Sequence, residues 1–175
     1  MNDVIEFLIA RGALDLDHPG GTLLAHLQRT HDTLLAWGAR PALRLAGLAH
    51  AAYGTDGFPQ GLIGADARSN LAQLIGSEAE EIVYVYGSCD RSYSYPTLTD
   101  GDPRFRDRFT GQVRHPDRLL LSDFVELTIA NELDVLSHNE DLRDQHGDGL
   151  HNLFTAWRVY ASDQATAAVD RFFAP

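Results

Sequence analysis

Apolar positions recur at spacings of three and four along most of the chain, the period of helices, and no alternation runs long enough for a strand. Val4–Arg11 carries a short amphipathic pattern, and Asp15–Gly21 reads as a turn around Pro19 and two glycines. Leu23, Leu24, Leu27, Leu34 and Leu35 predict a helix over Thr22–Trp37 that Gly38 ends. Pro41 then opens a helix over Ala42–Tyr53, apolar on nearly every side except at Arg44, the mark of a buried element. Gly54–Gly64 is loop, and Asp66–Leu74 a short helix. Ser77 with Glu80 spells a capping box at the start of Glu78–Cys89. Ser92–Gln112 is a long polar stretch that could close over a site. Pro116 opens a helix to about Ser137, and Leu150–Tyr160 and Asp163–Phe172 finish the chain. The pattern predicts an all-α, compact bundle of about six to eight helices, a single domain over residues 1–175.

The helix after Pro116 holds the most informative stripe. Leu120, Phe124, Leu127, Asn131, Asp134 and His138 follow one another at steps of four and three, so they share a face that begins apolar and ends polar. A second stripe, Leu121, Val125, Ile129, Leu133 and Leu136, stays apolar throughout. Asn131 and Asp134 therefore either face a pocket or mark where the stripe leaves the core. His50 shares a face with Leu43, Ala46, Gly47 and Tyr53, which makes it either a satisfied core histidine or a functional one. On the preceding helix His26 lies at the margin of the apolar arc and His31 nearer its centre, and spacing alone does not choose between them.

Composition narrows the chemistry. The 44% hydrophobic and 22% charged content is that of a globular chain, with room for one core in 175 residues. The start has no basic segment ahead of an apolar run, and no apolar run reaches the length of a membrane span, so a cytoplasmic protein with no membrane partner is expected. All 14 basic residues are arginine, which removes lysine Schiff bases and P-loop lysines. A net charge of −11 opposes non-specific binding to nucleic acid. It leaves room for a small anion held by local arginines among Arg104, Arg106, Arg108, Arg114 and Arg118, although interleaved aspartates also fit a solvated loop. The single cysteine, Cys89, excludes an internal disulfide and reads as a small buried hydrophobe.

The string LLAHLQRTHDTLLAWGARPALRLAGLAHAAYGT, Leu23 to Thr55, resembles the opening of the HD superfamily of metal-dependent phosphohydrolases, and its wording also resembles a less characterised bacterial HD-like family. The resemblance continues through LIGSEAEEIVYVYGSCDR, Leu74 to Arg91, and TIANELD, Thr128 to Asp134, giving a motif core of about residues 22–134. It implies an HD-like helical bundle, sets His26 rather than His31 at the first histidine position and His50 at the second, and implies one divalent metal, Mn, Fe or Mg. Two positions depart from the pattern: Ala51 stands where the motif aspartate follows the second histidine, and Asn131 where the final aspartate belongs. Those departures remove both anionic ligands, so the expectation is one divalent metal or none.

Hydrolysis of a small, anionic molecule follows, either metal-assisted or by acid–base groups. His26, His50, Asp90 and Asp134 are the catalytic candidates, and His18, Tyr53, Arg91, Arg108 and Asn131 the substrate-binding ones. His26, His50 and Asp134 are the metal candidates, with Asp90 or Asp134 standing in for the lost aspartates and His18 as a further imidazole. Two alternatives stand beside it: a binding or accessory protein that kept the fold and lost the metal, and an iron-dependent oxygenase of the same fold. The second would want more histidines than the Glu78–Cys89 helix offers. The partner expected is a small-molecule substrate; oligomeric state is left open, a homodimer included.

Overall fold

Helix α2 (Leu23–Ala36) and helix α3 (Pro41–Ala49) pack so closely that a Cβ on Gly47 would lie 2.6 Å from Leu34 Cδ1. That approach brings the inner faces of the two helices together and sets the position of the histidines they carry. The structure, a computed structural model, describes residues 1–174. Helix α1 (Asn2–Ala10) leads through a hairpin, β1 (Asp17–His18) with β2 (Gly21–Thr22), into α2, whose first turn is capped by the Thr22 hydroxyl. After α3 come α4 (Arg68–Ile75), α5 (Ser77–Ser88) and α6 (Arg91–Thr97), then a second hairpin, β3 (Phe105–Arg106) with β4 (Val113–Arg114). Helices α7 (Arg118–His138), α8 (Glu140–Ala156) and α9 (Asp163–Phe172) complete the chain.

The protein is predominantly all-α, as the periodicity predicts. Nine α-helices lie among the described residues, more than the six to eight expected, because the polar stretch 92–112 holds α6. Helix α7 is the central strut. It packs against α2, α3, α5, α8 and α9, which is why it is buried on almost every side and carries so little polar face. The core around it is one continuous set of buried apolar side chains from α1 to α9. Among the described residues no helix is long and apolar enough to cross a membrane.

Four local expectations are corrected. Helix α3 stops at Ala49 rather than Tyr53, because His50 Nδ1 donates to Gly47 O at 2.8 Å and takes a carbonyl that the next turn would have used. The Ser77–Glu80 capping box does not form: Glu80 turns inward to the Tyr53 hydroxyl (2.8 Å) and to Arg68 Nε (2.7 Å). The 92–112 stretch is no free flap. Arg108 N donates to Ser88 O (2.7 Å), Asp90 N to Arg106 O (2.9 Å) and the Tyr84 hydroxyl to Asp107 (2.7 Å). Helix α8 begins at Glu140, ten residues ahead of the expected Leu150, capped by Asn139. Its first half is polar because Glu140, Asp141, Arg143 and Asp144 stand exposed to solvent, with Leu142 turned to a cavity wall.

Candidate functional site

Three elements deliver the polar cluster at the heart of the bundle: α2 brings His26 and Arg29, the end of α3 brings His50, and α7 brings Asn131 and Asp134. His26 and His50 are 0% and 1% exposed, and Asn131 and Asp134 8% and 9%, so all four are inward residues. His26 Nδ1 donates to Asp134 Oδ2 at 2.6 Å. On the other side of the same ring, His26 Nε2 lies 3.2 Å from His50 Nε2 and 3.0 Å from Asn131 Oδ1. The His26 ring is thus fixed at both nitrogens.

The hydrogen bonds assign the protons. His50 Nδ1 donates to Gly47 O, so a neutral His50 presents a lone pair at Nε2. His26 spends Nδ1–H on Asp134, so its Nε2 would present a lone pair as well, and two lone pairs cannot face each other at 3.2 Å. One of the two nitrogens must therefore carry a proton and donate it to the other. Burial, then the charge of His26, push His50 down to about 3, so His50 is the acceptor and the proton lies on His26 Nε2, shared with Asn131 Oδ1. Asp134 balances that charge. Burial alone would raise its carboxyl, but hydrogen bonds from His26 and Arg29 outweigh it and bring it down to about 2.

Arg29 holds Asp134 from the opposite side with a fork: Nε to Oδ1 at 2.7 Å and an NH2 donor to Oδ2 at 2.9 Å. The same guanidinium reaches Pro19 O (3.0 Å) and Gly20 O (3.2 Å), so it also ties the β1–β2 hairpin to the cluster. Gly20 makes this possible. Its φ is +80°, and a Cβ there would come within 2.6 Å of the His138 ring and 2.9 Å of Arg29. The hairpin in turn lays His18 over His26, ring centroids 3.9 Å apart. Burial and the neighbouring His26 charge bring His18 down to about 4, so it is neutral at pH 7. Its Nδ1 is buried without a hydrogen-bond partner among the described residues.

Beside this cluster lies a cavity of about 630 Å³, in the size range of small-molecule sites. His18 and Asn131 form part of its wall; His26 and His50 do not reach it. Arg91 and Glu132 line it as a pair, Arg91 donating to Glu132 Oε1 at 3.0 Å and to the Tyr86 hydroxyl at 3.3 Å. Phe58, Val135, Leu142, Leu150 and Leu153 give it an apolar side.

A divalent cation of the Mn or Mg kind does not fit these residues. Such ions want anionic oxygens, and the one carboxylate of the cluster lies on the Nδ1 side of His26 with Arg29 forked across it. An ion between the two Nε2 atoms would meet two imidazoles and one neutral amide oxygen, with no anionic donor. Iron held through oxygen anions meets the same shortage. No group of three or more His, Cys, Asp or Glu suited to a metal occurs among the described residues.

Of the candidates read from the sequence, the structure brings together His18, His26, His50, Asn131 and Asp134, and places Arg91 on the cavity wall. It sends three elsewhere. The Tyr53 hydroxyl serves Glu80, Asp90 caps α6 through Tyr93 N (3.1 Å) and meets Arg106, and Arg108 Nε donates to Gly87 O at 2.8 Å. Cys89 is buried, its thiol pushed up to about 12 by that burial, which leaves it inert at neutral pH. His31 pairs with Asp32 at the surface. Arg29 is the main residue that sequence reading misses; its one signal is its place three residues after His26, on the same helix face. Tyr95 and the first half of the α8 wall carried no signal at all.

Residues 7–91 match the model of a family described as a domain of unknown function (DUF6817), a stretch that holds His18, His26, His50 and Arg91 but ends before Asn131 and Asp134. No curated protein and no solved structure matches the chain.

Proposed function

We propose that this chain is a metal-independent acid–base enzyme that hydrolyses a small molecule bound in the 630 Å³ cavity. The observation that carries this reading is the Asp134–His26–His50 line, in which a carboxylate locks one imidazole so that a proton is held at its Nε2, directly behind the cavity wall. The resemblance of Leu23–Thr55 to the HD superfamily supports hydrolysis as the reaction class. His18 is the imidazole of the cluster that reaches the cavity. Kept neutral by burial and by the charge of His26, it takes the proton of an attacking water as the oxygen bonds to the substrate, and returns it to the leaving group. Asn131 spans the wall between cavity and cluster. His26, Asp134 and Arg29 act as positioning residues: they hold the charge that sets His18 and the ring on which it stacks.

The test uses p-nitrophenyl hexanoate and hexanoyl anilide with native protein, in the presence and absence of EDTA. Turnover should survive the chelator and fall at least about a hundredfold in His18→Ala and Asp134→Asn. Turnover abolished by EDTA and restored by Mn, or unchanged in both variants, would sink this reading.

One observation favours a second reading, a small-molecule binding protein. His26 and His50 are sealed from the cavity, so the cluster could serve only to hold its wall rigid. A ligand bound stoichiometrically with no chemistry on any ester or amide tried is the outcome that selects it.

A further inference from the structure

The charges around the cavity are already matched. Arg91 is its one arginine, and that guanidinium is answered by Glu132 at 3.0 Å, while the Arg91 backbone N–H is taken by Asp56 Oδ2 at 3.0 Å. The arginines that left room for an anion site are dispersed: Arg104 lies 3.5 Å from Asp102, Arg106 meets Asp90, Arg114 meets Glu81 and Arg118 donates to Val159 O, while Arg108 donates Nε to Gly87 O and keeps a buried Nη2 without a partner among the described residues. None of them lines the cavity. An anion entering it would shed water without gaining a free cation, in a protein of net charge −11.

What the cavity does offer is one apolar side and a set of neutral hydrogen-bonding groups. Leu142, Leu150 and Leu153 of α8 face it together with Phe58. The polar part has the Asn131 amide and the neutral His18 ring. It also has the Tyr95 hydroxyl, buried without a hydrogen-bond partner among the described residues. An unpaired buried donor of this kind leaves a gap that a ligand acceptor fills.

We infer that the cavity takes an uncharged amphipathic acyl compound, a carboxamide or ester with an apolar tail, and rejects carboxylates and phosphate esters of the same length. The inference rests on reading this cavity as the substrate site, and it stands in place of the small, anionic molecule expected from the sequence. The carbonyl lies toward His18, Asn131 and Tyr95, and the tail along the leucines of α8. Arg91 and Glu132 act as a matched pair that sets specificity.

Calorimetric titration of the native protein at pH 7.5 with hexanamide, hexanoate and hexyl phosphate tests it. Hexanamide should bind at least about tenfold tighter than either anion. Glu132→Gln frees the Arg91 charge and should improve hexanoate binding at least about tenfold while changing hexanamide little. Gly149 lines the cavity, and a Cβ there meets no atom within 4 Å, so Gly149→Phe and Gly149→Leu should fill the space and weaken hexanamide at least about tenfold with thermal unfolding not lowered. Tighter binding of either anion by native protein, hexanamide affinity unchanged in both Gly149 variants, or no binding by any of the three would overturn the inference. The enzyme reading fails separately: hexanamide binding without turnover of hexanoyl esters sinks the chemistry while leaving the ligand class intact.

Discussion

Replacing Arg29 with leucine should cost about 2 kcal/mol of stability, and the structure shows where that figure comes from. Arg29 gives the Asp134 carboxylate two of its three close donors, at 2.7 and 2.9 Å, and His26 gives the third at 2.6 Å. Together the two partners, working against burial, hold the carboxyl at about 2 rather than its ordinary 3.8. At 1.36 kcal/mol per pH unit that depression is worth about 2.5 kcal/mol, shared between them. Removing one partner of a buried pair costs roughly 3–5 kcal/mol. The guanidinium side chain is 28% exposed and His26 stays in place, so the cost falls below that range, at about 2 kcal/mol. For a chain of this size about 2 kcal/mol corresponds to a midpoint lowered by roughly 4–8 °C. The assay is urea and thermal unfolding followed by circular dichroism for the native protein, Arg29→Leu, Asp134→Asn and the double variant at pH 7. The coupling energy of the cycle should exceed about 1 kcal/mol. The sign with pH follows from the depressed carboxyl. Its contribution is complete well above 3.8 and is lost as pH falls through about 2, so the cycle must be closed near neutrality. A coupling below about 0.5 kcal/mol would refute the fork as the support of the cluster.

Gly149→Ala should stabilise by about 0.5–1 kcal/mol, since the position is within α8 and a methyl there meets nothing within 4 Å; a loss in urea midpoint would contradict it. Arg40→Met should destabilise by about 2–4 kcal/mol, because it strands Asp123, 3% exposed, whose carboxylate otherwise accepts from Arg40 Nε at 3.0 and 3.1 Å; a midpoint within about 1 °C of native would show that the pair carries no weight. His50 and His18 have folded values near 3 and 4 against an unfolded 6.5, so the folded state binds fewer protons between those limits. Stability is therefore full above 6.5 and is lost on acidification toward 4 and 3, by up to about 1.4 kcal/mol per pH unit for each ring; His50→Gln should flatten that slope, and parallel urea curves for the two proteins would exclude it. Asn131→Asp puts a carboxylate 3.0 Å from His26 Nε2, so 1 mM Mn should raise the unfolding midpoint of this variant but not of the native protein; an equal rise in both would show that the native donor set holds the metal after all.

Periodicity alone determined much of the molecule, because a helix needs only one apolar stripe to announce itself. Thr22–Trp37, the helix after Pro116 and Asp163–Phe172 all lie within a residue or two of α2, α7 and α9. The same rule set Asn131 and Asp134 on one stripe with Leu120, Phe124 and Leu127 and left open whether that stripe stays inside; the structure buries both. The rule failed where a helix buries little: the first half of α8 is mostly solvent-exposed polar residues, and nothing in its spacing separates it from loop. It also over-extended α3, since the bond from His50 to Gly47 O that ends the helix is a side-chain choice. Partners across the fold are beyond any one-dimensional pattern. Arg29 and Asp134 are 105 residues apart, and only the packing of α2 on α7 makes them a pair. By the same token Asp90 and Arg108, chosen for charge and position in the chain, are spent on capping α6 and on a carbonyl at the end of α5. Sequence named the two histidines; tertiary structure decided what stands between them, because the direction in which an aspartate points relative to an imidazole separates a ligand from an orienting base.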